Sequence, residues 1–214
     1  MDCAEPSSDC LLCPRLAAFR DENRAAHPDW FNAPVPSFGD ERARLIIVGL
    51  APGLRGANRT GRPFTGDYAG ILLYGRLIKF NLPTGGYEER AGDGLRLRDC
   101  MITNAVRCVP PANKPQPAEI NMCRRFLGER ITVLPDLKAI LALGRIAHES
   151  VLRALGLKLS AFPFGHGGAH SLPDRAVELF SSYHCSRYNT STGVLTPEMF
   201  EAVFKKVRAY LDRA

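Results

Sequence analysis

The chain alternates short, mainly apolar runs with longer runs that are apolar on one face only. Four short runs, at residues 44–49, 100–104, 137–143 and 177–183, are rich in aliphatic and β-branched side chains. Runs of this kind mark strands covered on both faces, as in a parallel sheet. Five amphipathic runs, at 15–26, 71–81, 118–132, 144–157 and 196–212, predict helices. The last is punctuated by Thr196, Pro197 and Glu198, which supply an N-cap, a first-turn proline and an early acid. Strands alternating with helices imply βαβ units. The expected fold is therefore α/β: a three-layer α/β/α arrangement around a central, mostly parallel four-stranded sheet. Residues 1–214 read as a single domain, without an internal repeat.

Where the apolar pattern breaks, three of the four strands run into loops of unusual chemistry. After Gly49 comes a long loop whose course is set by Pro52, Gly53, Gly56, Gly61, Pro63 and Gly66, and which carries Phe64, Asp67 and three arginines. Residues 105–117, after Asn104, hold four prolines and are excluded from regular structure. The fourth strand lands on His184-Cys185-Ser186-Arg187-Tyr188. The C-terminal ends of parallel strands lie on one edge of the sheet, so these three loops are expected to converge there. His166 and His170 read as loop histidines, structural or phosphate-facing rather than catalytic, His148 as an ordinary helix residue, and 27–39 as a Pro-rich loop.

Composition narrows the class. With 45% hydrophobic and 23% charged residues the chain has the balance of a globular protein. No apolar run is long enough for a membrane span, and the first residues lack the basic and apolar regions of a signal peptide. A cytoplasmic protein with no membrane association is the expectation. The net charge of +6 suits a polyanionic partner.

Seven cysteines are then a surplus, because thiols in the cytosol are kept reduced. Cys10 and Cys13 form a C-x-x-C pair, and Cys108 and Cys123 have fourteen residues between them. Four thiolates from two distant stretches can close a site for zinc or for an iron–sulfur cluster, and spacing alone leaves both open. Cys3, Cys100 and Cys185 are left over, with Cys100 expected in the core.

Taken together, Gly49-Leu50-Ala51-Pro52-Gly53, residues 56–67, residues 103–108, residues 186–193 and the four cysteines resemble the iron–sulfur branch of the uracil-DNA glycosylase superfamily. The likeness is greatest to family 5 (type b) and runs from residue 10 to past 200. It implies a structural 4Fe–4S cluster on Cys10, Cys13, Cys108 and Cys123, with zinc the weaker alternative. It also implies a monomer acting on uracil-containing DNA with the target base flipped out, removing uracil and other deaminated bases to start base excision repair.

Each requirement of that chemistry has a candidate. Phe64 offers a face for the extruded base. Asn104 presents both a donor and an acceptor to a Watson–Crick edge. His184 can donate to a base carbonyl as negative charge develops, assisted by the backbone N–H groups of Leu50 and Ala51. Asp67 matches the acid that orients water and offsets the sugar cation, while its position also suits a helix N-cap. Gly53 leaves room for a larger base. Asn58, Arg55, Arg59, Arg62, Ser186 and Arg187 are expected to grip phosphates. Arg187 and Tyr188 stand where these enzymes insert a wedge into the vacated stack.

Two departures bear on the resemblance. The family's last motif usually begins His-Pro-Ser, and here Cys185 takes the proline's place. Leu50 stands where family 4 relatives carry an acid. Two other readings follow from the residues: a protein that binds damaged or abasic DNA without cleaving it, and a structural zinc protein that binds a nucleotide. A dinucleotide-binding dehydrogenase is disfavoured, because residues 49–53 do not form G-x-G-x-x-G.

Overall fold

The strand Leu45–Gly49 (β2) is buried at every residue, and its side chains alternate between two separate cores. Leu45 and Ile47 belong to one, Ile46 and Val48 to the other. The same holds for Cys100–Asn104 (β5) and Ala139–Leu143 (β6), both buried throughout. Such strands need a helical layer on each side. Helices Tyr68–Lys79 (α3) and Pro197–Leu211 (α7) cover one face, through Leu73, Leu77, Phe200, Phe204 and Val207. Helices Pro117–Val133 (α4) and Arg145–Ala154 (α5) cover the other, through Leu127, Ile131, Val151 and Leu152. The result is the expected three-layer α/β/α architecture. The computed structural model describes residues 5–173 and 175–214, so Cys3 lies outside the described residues.

The sheet has six strands rather than four. Its order is Phe38–Gly39 (β1), β5, β2, β6, Glu178–Ser182 (β8), Ala169–Ser171 (β7). The four inner strands are the predicted ones and pair in parallel; β1 and β7 pair antiparallel at the two edges. These edge strands, two and three residues long, are too short to show a period-2 pattern. A separate two-stranded ribbon pairs Pro83–Thr84 (β3) with Arg96–Leu97 (β4).

Register decides what meets at the edge. Gly49 pairs with Asn104, and Leu143 pairs with Ser182. The segments that follow all four inner strands therefore leave the sheet side by side. Among the described residues no helix is long and apolar enough to cross a membrane.

Leu141, fully buried in the central β6, tests this packing. Leu141→Ala is expected to lower the unfolding free energy by about 2–5 kcal/mol, read from urea unfolding.

Candidate active site

Beyond the C-terminal edge of the sheet opens a cavity of about 750 Å³, a size suited to a small organic ligand. Most of its walls come from the three loops expected to converge. Leu50, Ala51, Gly53, Phe64 and Asp67 come from the loop after β2, Asn104 from the end of β5, and His184, Ser186 and Arg187 from the segment after β8.

Phe64 and Asn104 meet over Gly49. A Cβ on Gly49 would collide with Asn104 Oδ1 and come within 2.6 Å of the Phe64 ring. Asn104 is 2% exposed, and its Oδ1 has no hydrogen-bond partner among the described residues. A buried acceptor of that kind can take a donor that enters the cavity. Phe64 adopts a left-handed backbone conformation, φ +52°, which is strained for an aromatic residue. Its neighbours hold it there. Tyr74 Oη donates to the Pro63 carbonyl at 2.9 Å and Tyr87 Oη to the Phe64 carbonyl at 3.4 Å. The Tyr74 and Tyr87 rings stack 4.3 Å apart.

Across the cavity, His184 lies with its ring centroid 6.0 Å from that of Phe64. Burial pushes its imidazole below the ordinary 6.5, and the Asp67 carboxylate opposes that only in part. At neutral pH the ring is therefore neutral, with one N–H donor. Asp67 does two things at once. Its Oδ1 accepts from Gly70 N at 3.0 Å, capping α3. Its Oδ2 lies against the backbone of Gly53 and Gly56, within the cavity wall. Cys185, behind His184, is fully buried and its Sγ contacts the Ala69 carbonyl at 3.6 Å. Burial keeps this group a neutral thiol.

The family model of the uracil-DNA glycosylase superfamily matches residues 36–208, which include the whole of this cavity. The chain belongs to the uracil-DNA glycosylase superfamily. A protein named Type-5 uracil-DNA glycosylase from Thermus thermophilus is 48% identical over 205 residues, covering 93% of this chain and 92% of its own. One of the same name from Mycobacterium bovis is 42% identical over 209 residues, covering 94% and 78%. A Type-4 uracil-DNA glycosylase from Archaeoglobus fulgidus is more distant, 29% identical over 179 residues, covering 81% and 79%.

Within this superfamily member the residues expected at phosphates divide. Ser186 and Arg187 line the cavity mouth, Ser186 capping the helix Arg187–Ser191 (α6) and Arg187 placing its guanidinium 5.3 Å from the Tyr68 ring centre. Tyr188 is 73% exposed beside them. Arg55 and Arg59 are exposed as well.

Arg62 and Asn58 are corrections. Arg62 is 3% exposed and forms a two-pronged ion pair with Asp93, both bonds 2.7 Å, while its Nε donates to Thr65. Asn58 is 1% exposed and donates to Asn32 Oδ1 at 2.9 Å. Neither side chain reaches a phosphate. Both are drawn inward by partners distant in sequence.

Sequence reasoning missed several wall residues: Tyr68, Asn113, Arg145, Phe164 and Tyr183. Arg145, with its guanidinium 5.1 Å from the Phe164 ring centre, directly follows a parallel strand and its Gly144 turn. The strand-end rule that located the other loops applies there too. His148, His166 and His170 each bond to groups within the fold. His148 bonds Ser181 Oγ and the Phe162 carbonyl, His166 accepts from Tyr183 N, and His170 bonds the Pro163 carbonyl.

Cys10, Cys13, Cys108 and Cys123 border one small second cavity, with Leu16, Val106 and Phe126. The first two cysteines adjoin the helix Pro14–Ala26 (α1), and the others come from the loop after β5 and from α4. Among the described residues, no group of three or more His, Cys, Asp or Glu side chains closes tightly enough to hold a metal ion. Burial pushes the Cys108 thiol up to about 12 and that of Cys123 up to about 11. Cys123 Sγ also accepts from Arg107 N at 3.3 Å. Cys100 is buried in the core, as expected.

The Arg62–Asp93 pair makes stability depend on pH in one direction. The Arg62 guanidinium holds the Asp93 carboxyl well below the ordinary 3.8. Its contribution is thus complete above that value and lost as the pH falls below it. Asp93→Asn is expected to cost about 3–5 kcal/mol at neutral pH. It should also flatten the loss of stability as the pH falls below about 4, both read from denaturant unfolding at each pH.

Proposed function

We propose that this chain hydrolyses the N-glycosidic bond of uracil, and of other deaminated bases, in DNA, as the first step of base excision repair. The observation that carries the reading is the cavity in which Phe64, Asn104, His184 and Asp67 face one another within a member of this superfamily. The close relatives are named as glycosylases, which favours this over a protein that binds damaged DNA without cutting it.

In this reading the target nucleotide leaves the stack and its base slides onto Phe64. Stacking of that kind is worth about 1–3 kcal/mol. Asn104 bonds the Watson–Crick edge, its orphaned Oδ1 receiving a base N–H. The C1′–N1 bond then breaks with its electron pair moving to the base. The neutral His184 ring donates its N–H to the base carbonyl on which that charge collects. Asp67 Oδ2 offsets the positive charge on the sugar and aims a water at C1′. Addition of that water completes the sugar product, and its proton neutralises the departing base. Arg55, Arg59, Ser186 and Arg187 hold phosphates, and Tyr188 fills the gap in the stack.

We also propose that Cys10, Cys13, Cys108 and Cys123 ligate a 4Fe–4S cluster of structural role, with zinc the less favoured occupant. Soft sulfur donors around one apolar cavity, one of them already accepting a backbone N–H, are the surroundings such a cluster requires. When bound, the group supplies the positive charge that keeps these buried sulfurs as thiolates. The protein is taken to act as a cytoplasmic monomer.

Asp67→Asn is expected to lower single-turnover uracil release by about 10²-fold or more while binding of uracil-containing DNA persists. His184→Ala is expected to cost about 10²–10³ in rate, and Asn104→Ala to weaken uracil selection over the normal bases. Gel-based cleavage of an oligonucleotide panel reads all three; near-wild-type rates for Asp67→Asn would remove it from the site. For the cluster, protein purified without oxygen should be brown and contain iron and acid-labile sulfide, and Cys108→Ser should bleach it. Colourless protein containing zinc would establish the alternative occupant.

A further inference from the structure

The loop 27–35 presents aromatic side chains at the surface. Phe31 is 43% exposed, and the half-buried Trp30 stacks on His27 with ring centres 3.9 Å apart and planes 11° from parallel. The loop is nonetheless held rigidly. Asn32, 1% exposed and at φ +44°, donates to the carbonyls of Asn23 and His27 and accepts from Asn58. Its own carbonyl accepts from Arg24. Backbone bonds of 3.1 Å, from Phe31 N to Arg59 O and from Asn32 N to Asn58 O, fasten the loop to the short helix Ala57–Thr60 (α2). Gly61, at φ +77°, receives the Phe31 ring, since a Cβ there would fall 2.7 Å from its Cδ2.

This fixed aromatic surface adjoins the site. Ala57, the first residue of α2, lines the active-site cavity. The Arg59 guanidinium lies against Gly66, next to Asp67. Arg55 and Arg59 are exposed, and neither takes part in an ion pair among the described residues. Flat aromatic faces beside unpaired guanidinium groups are what single-stranded nucleic acid binds: the faces stack on bases and the cations take phosphates. The charge argues against an apolar protein partner, and the shared α2 argues for the strand that enters the cavity.

We propose that Trp30, Phe31 and Arg59 form a platform that stacks unpaired bases of the substrate strand beside the flipped nucleotide. The proposal rests on the glycosylase reading for the identity of the strand. Asn58 and Asn32 act as positioning residues that keep the platform in place.

Trp30 is the single tryptophan of the chain, so its emission reports on the contact directly. The intact protein is titrated with a thymine homopolymer of about 20 nucleotides, free of uracil, while the anisotropy of an end-labelled strand is followed in parallel. Saturable quenching of Trp30 with the same midpoint as the anisotropy is expected. Phe31→Ala should raise that midpoint about fivefold or more, and Arg59→Ala should reduce the salt slope by about one unit. With uracil-containing single strands, the Phe31→Ala effect should fall on KM rather than kcat and shrink as the strand is shortened. Binding that saturates without a change in Trp30 emission, wild-type affinity in Phe31→Ala, or no binding at low salt would each overturn the platform. Because the titrated strand contains no uracil, such a failure leaves the glycosylase reading standing. Loss of that reading would show separately, as absent uracil release with quenching intact.

Discussion

Everything at the cavity floor depends on the missing side chain of Gly49. The parallel register sets this residue beside Asn104, and the space a Cβ would occupy is taken by the Asn104 amide and the Phe64 ring. The loop after β2 must double back on itself to bring Phe64 there, and it does so through a backbone conformation costing about 1–3 kcal/mol. That cost is offset nearby. Tyr74 and Tyr87 bond the carbonyls on either side of the bend, and Arg62 locks the loop to Asp93 on the connection between β3 and β4. What looks from its charge like a hand for DNA is a buried strut.

This is also where sequence reasoning reached its limit. The inner strands were legible because both faces are apolar, so no competing pattern obscured them. The convergence of Phe64, Asn104 and His184 followed from where those strands end. Arg62 and Asn58 were misjudged because a side chain's direction depends on its partners. Asp93 and Asn32 are distant in sequence, and nothing in the local pattern ties them to the loop. The edge strands β1 and β7 were invisible for a simpler reason: so few residues carry no period. Trp30 and Phe31 read only as part of a proline-rich connection, since exposure cannot be read from residue type.

The cysteine cavity is mechanically continuous with the active site. Leu16 and Phe126 pack with Val106, and Val106 N bonds the Leu50 carbonyl while Ala105 N bonds that of Gly49. The N-terminal segment thus rests against the back of the loop whose front lines the pocket. Arg15 strengthens the join through its paired bonds to Glu119, at the start of α4. A group held by those four sulfurs would brace the pocket from behind without touching substrate.

On the proposed glycosylase reading, the buried Oδ1 of Asn104 would also act as a filter by lone-pair repulsion. An acceptor buried without a partner is destabilised by about 1–3 kcal/mol, and that is relieved only by a guest that brings a hydrogen to it. Uracil carries an N–H at the middle of its pairing edge; cytosine has a lone pair at the same atom. Seating cytosine would leave two acceptors opposed and both dry. On that reading the pocket would favour the deaminated base before any bond is strained, by the free energy recovered when that hydrogen arrives.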